Sequence, residues 1–150
     1  MAMVIAPPQT DPVEVAVRTL LVNDPTLASL VATRVYQLVL PQNVALPAVR
    51  IQLIDEPVRS HLRGADLLRQ ALVQVDSYGA EAQGYSAIAV VAEAVVRVML
   101  GWPSRAVPTT GLWISGVERD ARQASFESDV ASIRIRQDFL VWSRPISPTH

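Results

Sequence analysis

The stretch VDSYGAEAQGYSAIAVV, Val75 to Val91, decides how this chain is read. Gly79 and Gly84 stand five apart and are followed by Tyr85-Ser86, between a strand-like run and a helix-like run. A phosphate-binding loop, G-x-x-x-x-G-K-[ST], has this outline. Such a loop needs backbone N–H groups around the phosphates, a lysine for the terminal charge and a hydroxyl for magnesium. Ser86 offers the hydroxyl, but Tyr85 takes the lysine's place, and all thirteen basic residues of the chain are arginine. Glu81, at the start of the helix-like run, repels the anion that a helix N-terminus attracts. Nucleotide binding is therefore rejected. Gly79 is expected to end a strand in a turn. Gly84 reads as an early-helix glycine, costing roughly 1 kcal/mol against alanine.

Working outward, the flanking strands argue the same way. RVYQLVL (34–40) stops at Pro41, and AVRIQLIDE (48–56) opens after Pro47. In the second, Val49, Ile51 and Leu53 face one side, with Arg50 and Gln52 on the other. ALVQVDSY (71–78) sets Val73 and Val75 against Gln74 and Asp76. SIRIRQDFLVW (132–142) sets Ile133, Ile135, Phe139 and Val141 against Arg134, Arg136 and Asp138. Alternation of this kind belongs to an antiparallel sheet covered on one side, because parallel sheets buried on both faces read as continuous apolar runs. The cover is expected from Glu81–Leu100. There Tyr85, Ile88, Ala92, Val95 and Met99 recur at helical spacing, Val91 and Val96 widen the stripe, and Glu93 and Arg97 are spaced for an i, i+4 pair. Gly101 and Pro103 stop the helix. Upstream, Asp11 is placed to cap a helix with Pro12 at its first position and Val13, Val17, Leu20 and Leu21 on one face. Asp24-Pro25 repeats the signal for a short second helix carrying Leu27, Leu30 and Val31. The fold class is α+β: a curved antiparallel sheet, one long helix packed on one face, and a helical N-terminus.

Composition sets the outer bounds. A chain of 150 residues suits one domain and buries roughly 70% of its unfolded surface. It is 50% hydrophobic and 18% charged with a net charge of −1, so neither disorder nor a nucleic-acid surface is indicated. The apolar bias fits a well-filled core and a subunit that hides surface against neighbours equally well. Coding bias is the simpler source of the arginine preference. The absence of cysteine excludes disulfides and thiolate chemistry. MAMVIAPPQT lacks a basic n-region and a long apolar core, so it does not read as a signal peptide. Tyr85–Leu100 is too short and too charged to span a bilayer. Residues 1–10 are expected to form a flexible arm, 11–143 the single domain and 144–150 a C-terminal tail.

Catalytic constellations are weak. Only His61 and His150 are present, which leaves little for a metal site. His61 adjoins Ser60 and lies near Asp66, but without a nucleophile-elbow pattern. Asp76 and Asp138 have the look of an acid/base pair, yet Arg134 and Arg136 share their face, and cross-strand ion pairing explains them more simply. Glu118, Arg119, Asp120 and Arg122 read as a solvated strand end. No catalytic residue, cofactor or metal is assigned.

The order of elements carries the functional reading. A helix, a short helix, RVY, the proline-flanked LPAVRIQL, a polar loop with Gly64, VQVDSYG, a long helix and SFESDVASIRIRQDFLVWS follow one another. From Asp11 to Ser143 this order resembles the tail-completion, or tail-terminator, family of long-tailed bacteriophages. The resemblance implies a non-enzymatic virion protein, put together in the host cytoplasm. It implies a homo-hexameric ring on the last ring of the tail-tube protein, halting tube growth and docking the head connector or adaptor. DNA is then only passing cargo, and no membrane is involved. A ring needs two different patches per subunit. The polar sheet face, with Arg50, Gln52, Gln74, Asp76, Arg134, Arg136 and Asp138, is a candidate for lining the channel or meeting a neighbour; an ordinary solvated face explains each residue as well. The connection from Glu56 to Gln70 is a second candidate, through Arg59, Arg63 and Arg69, and is expected to order on assembly. Trp142 either anchors an interface or closes the core. A head-completion protein of the virion neck is the nearest rival. A small-molecule-binding α+β domain, with a pocket between helix and sheet, is the rival from another class.

Overall fold

A computed structural model of the chain describes residues 11–57, 68–101, 104–128 and 131–146. The described residues form three α-helices and a curled, half-barrel sheet of six strands. In chain order these are α1 (Val13–Val22), α2 (Pro25–Val31), β1 (Val35–Gln37), β2 (Ala48–Asp55), β3 (Arg69–Ala80), α3 (Tyr85–Gly101), β4 (Arg105–Val107), β5 (Leu112–Glu127) and β6 (Ser132–Pro145).

The two N-terminal helices begin differently. Asp24 caps α2, its Oδ2 accepting the Leu27 N–H at 2.8 Å, with Pro25 at the first helical position. Asp11, expected to cap α1, does not. The N-cap is Pro12, which has no side-chain acceptor, and the Asp11 N–H is spent on Thr110 O at 2.8 Å. What holds α1 is its apolar stripe: Val13, Ala16, Val17, Leu20 and Leu21 are all buried. Leu27 and Val31 of α2 join the same core.

The sheet runs β1-β2-β3-β6-β5-β4 and is mixed, which corrects the antiparallel expectation at one edge. β1 pairs parallel to β2, with Val35 opposite Val49, while every other pairing is antiparallel. Face alternation reports how many sides of a sheet are covered; it does not report the direction of a neighbouring strand. β1 is also shorter than RVYQLVL suggests. Leu38 turns to a φ of +65°, and Leu38 and Val39 are largely exposed. β5 is the opposite case. Glu118, Arg119, Asp120 and Arg122 do not end a strand but lie inside sixteen residues of one, broken by irregularities at Ile114/Gly116 and Arg119/Ala121. β6 continues past Ser143 to Pro145, and Ile146 N–H bonds Gly111 O at 2.9 Å. β6 thus runs two residues beyond Ser143.

On the inner face, Val49, Ile51, Val73, Val75, Phe139 and Val141 share one cluster with Val91, Ala94, Val95 and Met99 of α3 and with α1 and α2. Each fully buried Val, Leu or Ile side chain contributes about 2 kcal/mol. A smaller cluster joins Ile88 and Ala92 to Ile135. Tyr85, expected in the stripe, is about half exposed. Ala94, off the expected stripe, is buried because α1 and α2 also contact α3. Glu93 pairs with Arg122 across to β5 at 3.6 Å, where Arg97 was expected.

Both glycines of the opening stretch have roles other than those expected. Gly79 lies within β3, and a Cβ there would collide with Ile88 Cγ1 and Cδ1. Gly84 precedes α3 at a φ of +83°, a backbone conformation that side chains disfavour. Before it, Gln83 bridges the turn, accepting from Ala80 N–H and donating to Leu46 O, both at 2.9 Å.

Candidate functional site: the outer face of the sheet

The strand alternation that sends valines toward the helices sends charges outward. Register then decides which of them meet. Arg50 of β2 lies opposite Asp76 of β3, and Tyr78 of β3 lies opposite Arg134 of β6. Asp76 is fully buried. Its Oδ2 accepts from Arg50 Nη2 at 2.6 Å, Gln74 Nε2 at 2.8 Å and Arg134 Nη2 at 3.1 Å. Both guanidiniums also lie over the Tyr78 ring, at 5.6 and 5.9 Å from its centre. Burial pushes the Tyr78 hydroxyl above its ordinary pKa of 10.0. Asp76 adds to that rise, and the two arginines oppose it.

Beside this network Arg136 forks onto Asp138 along the same strand, Nε to Oδ1 and Nη2 to Oδ2, both 3.2 Å. That bond raises the guanidinium's proton affinity. The structure thus joins Arg50, Gln74, Asp76 and Arg134 directly and sets the Arg136–Asp138 pair next to them. Gln52 is half-buried opposite Gln74. Arg69 is exposed at the start of β3, far along the strand from Asp76. Trp142 is half-buried opposite Gly116, on the same face as Arg134 and Arg136, so it does not close the helix-side core. Arg59 and Arg63, and most of the 56–70 connection, lie outside the described residues.

Two residues of consequence went unassigned in the sequence. Tyr78 follows Asp76 by two and shares its face, so parity alone was enough to add it. Gln137 sits by the same parity among the inward residues of β6. It is fully buried, its Nε2 donates to Ala92 O of α3 at 3.0 Å, and its Oε1 has no partner. A cavity of about 570 Å³ also opens beside the network, between the 40–46 loop and the sheet. Leu40, Val44 and Leu46 face Tyr78, Glu127 and Ser132 across it. The small-molecule reading placed its pocket between helix and sheet; this one lies on the outer side. Among the described residues no group of three or more His, Cys, Asp or Glu is placed to hold a metal, and no helix is long and apolar enough to cross a membrane.

Fold and face together define a domain that presents a charge-paired sheet surface, with its helices packed behind. The chain belongs to the tail completion protein gp17 family, whose pattern it matches over residues 15–144. A chain of the virion of a native gene transfer agent particle has a similar fold, with a TM-score of 0.65 and 20% identity over 87% of this chain and 92% of that one. None of the curated proteins matches. Family membership gives the chain a structural role in the phage tail and a place in the virion.

Proposed function

We propose that the protein caps the head-proximal end of the tail tube as a homo-hexameric ring, stops tube growth, and offers the docking surface for the head connector. The role is structural and not catalytic. The observation that carries this reading is the match to the tail completion family along nearly the whole domain.

The outer face supports it physically. Arg50, Asp76 and Arg134 are held by one another and by Tyr78. Side chains already fixed lose little rotamer freedom on association, so a contact made through them is less costly. The ion pairs leave the face with mixed signs, which suits protein neighbours and gives passing DNA no basic track to adhere to. Head-to-tail closure needs two unlike patches. Two unlike edges of the sheet are candidates for them: the short β1 on one side, and on the other the long β5, which β4 covers only at Leu112–Ile114.

Electron microscopy after deletion of the reading frame from its source genome tests the proposal. Abnormally long or unjoined tails beside filled heads are expected, with normal tails restored by supplying the gene in trans. Infectious particles with tails of normal length would exclude it. Co-sedimentation then separates this role from that of a head-completion protein: the cap binds isolated tail tubes, whereas a head-completion protein binds the portal or adaptor.

A further inference from the structure

We propose that the cavity between the 40–46 loop and the sheet receives one uncharged, apolar side chain of a protein partner together with its backbone amide. Two hydroxyls point to an occupant. Tyr78 and Ser132 line the cavity and are only 7% and 5% exposed. Neither hydroxyl has a hydrogen-bond partner among the described residues, and neither is sealed away as the orphaned Ser77 hydroxyl is. Both therefore open into the cavity, where an incoming group can satisfy them. Glu127, opposite Ser132 across β5 and β6, stands at the same opening. The rest of the lining is mainly aliphatic, from Leu40, Val44 and Leu46. This wall is pinned where it returns to the sheet, by Arg34 Nε donating to Pro47 O and Gln83 Nε2 donating to Leu46 O, both at 2.9 Å. A hollow of about 570 Å³ is thus preformed, apolar with a few convergent polar groups, as ligand sites are.

The charges around the cavity select a neutral occupant. Arg50 and Arg134 lie over the Tyr78 ring, and Asp76 and Glu127 balance them, so the surroundings sum to zero. An ion entering this partly dry hollow would lose hydration without gaining a net counter-charge. Burial holds the Tyr78 hydroxyl above its ordinary pKa of 10.0, so at neutral pH it keeps its proton and can donate. The cavity then offers hydroxyl donors at Tyr78 and Ser132 and a carboxylate acceptor at Glu127. A peptide amide answers both kinds of group. Its C=O accepts from the hydroxyls, its N–H donates to the carboxylate, and the side chain beside it covers the aliphatic wall. A phosphate brings no such donor and carries charge; a hydrocarbon leaves the polar groups unpaired.

That the partner is a virion protein rests on the proposed tail role, but the cavity's chemistry is testable on the full-length chain alone. Tyrosine ring resonances are followed by NMR during addition of acetyl-leucine amide, its aspartate or lysine counterpart, or isoamyl alcohol, which has the branched alkyl group without the amide. Tyr78→Phe assigns the Tyr78 signal. Saturable shifts of that signal with the leucine amide are expected, with affinity at least about threefold weaker in Ser132→Ala, which loses one hydrogen bond. An amide spectrum confirms that each variant is folded. No shift at tens of millimolar leucine amide, equal shifts with the aspartate or lysine compound, or unchanged affinity in Ser132→Ala would overturn the proposal. Equal affinity for isoamyl alcohol would overturn it too, because the amide would then contribute nothing. A negative titration leaves tail capping standing, and normal tails after gene deletion leave the titration standing.

Discussion

Gly79 of β3 lies directly beneath Ile88 of α3, so close that a Cβ on the strand would occupy the space of Ile88 Cγ1 and Cδ1. The contact fixes the N-terminal end of the helix against the sheet, where Ile88, Ala92 and Ile135 form their own cluster. Gly79→Ala is expected to destabilise the fold by about 2 kcal/mol through overpacking. Paired with Ile88→Ala, which removes the colliding atoms, the double variant should lose clearly less than the sum of the two single changes. Urea unfolding of all four proteins reads the coupling, and strict additivity would show that the helix moves aside freely.

Removal of Asp76 leaves two partly buried guanidiniums facing each other. Asp76→Ala is expected to cost about 3 kcal/mol, as loss of one partner of a buried ion pair does. Arg136→Gln breaks a more exposed pair and should cost about 0.5 kcal/mol. Chemical denaturation separates the two cases, and comparable losses would contradict the distinction drawn from burial.

Gln137 donates one hydrogen bond to Ala92 O and leaves its own Oε1 unpaired. Leucine at this position fills nearly the same volume without an orphaned oxygen. Gln137→Leu is expected within about 1 kcal/mol of the parent, and Gln137→Ala about 3 kcal/mol below it, through the cavity it opens. Thermal unfolding of the three proteins provides the comparison. A large loss for leucine would mean that the amide bond specifies the packing of α3.

Helix capping offers a paired test. Asp24→Ala removes the acceptor for Leu27 N–H and should cost about 1 kcal/mol. Asp11→Ala removes no cap and should change stability by less than about 0.5 kcal/mol. Equal effects in denaturant titrations would refute the assignment of the caps.

Alkaline pH probes the Tyr78 site. Its folded-state pKa lies above the ordinary value of 10.0, chiefly through burial, so the folded protein holds the phenolic proton more tightly than the unfolded chain. The corresponding stability is fully present below pH 10.0 and is lost as pH rises through the folded value. Ultraviolet titration of tyrosinate should show a late component that Tyr78→Phe removes; its persistence in the variant would assign it elsewhere.

The sequence by itself determined which strand positions face the core. The strict alternation of AVRIQLID, ALVQVDSY and SIRIRQDFLVW separated inward valines from outward charges, because a strand's side chains have a period of two wherever the strand lies. Helical spacing did the same for Val17, Leu20, Ile88, Val95 and Met99. The same patterns, in their order along the chain, carried the family resemblance.

Only the tertiary structure decided what those faces meet. The parallel pairing of β1 left no mark on periodicity, and neither did the irregularities that keep β5 in the sheet as far as Glu127. Gly79 has its role because a helix from elsewhere in the chain rests on it. Arg50, Asp76 and Arg134 come from three strands, and register alone makes them one network, with both arginines over the Tyr78 ring. Periodicity is a local property of the backbone; register and close approach are set by contacts between segments far apart in sequence, which no local pattern encodes.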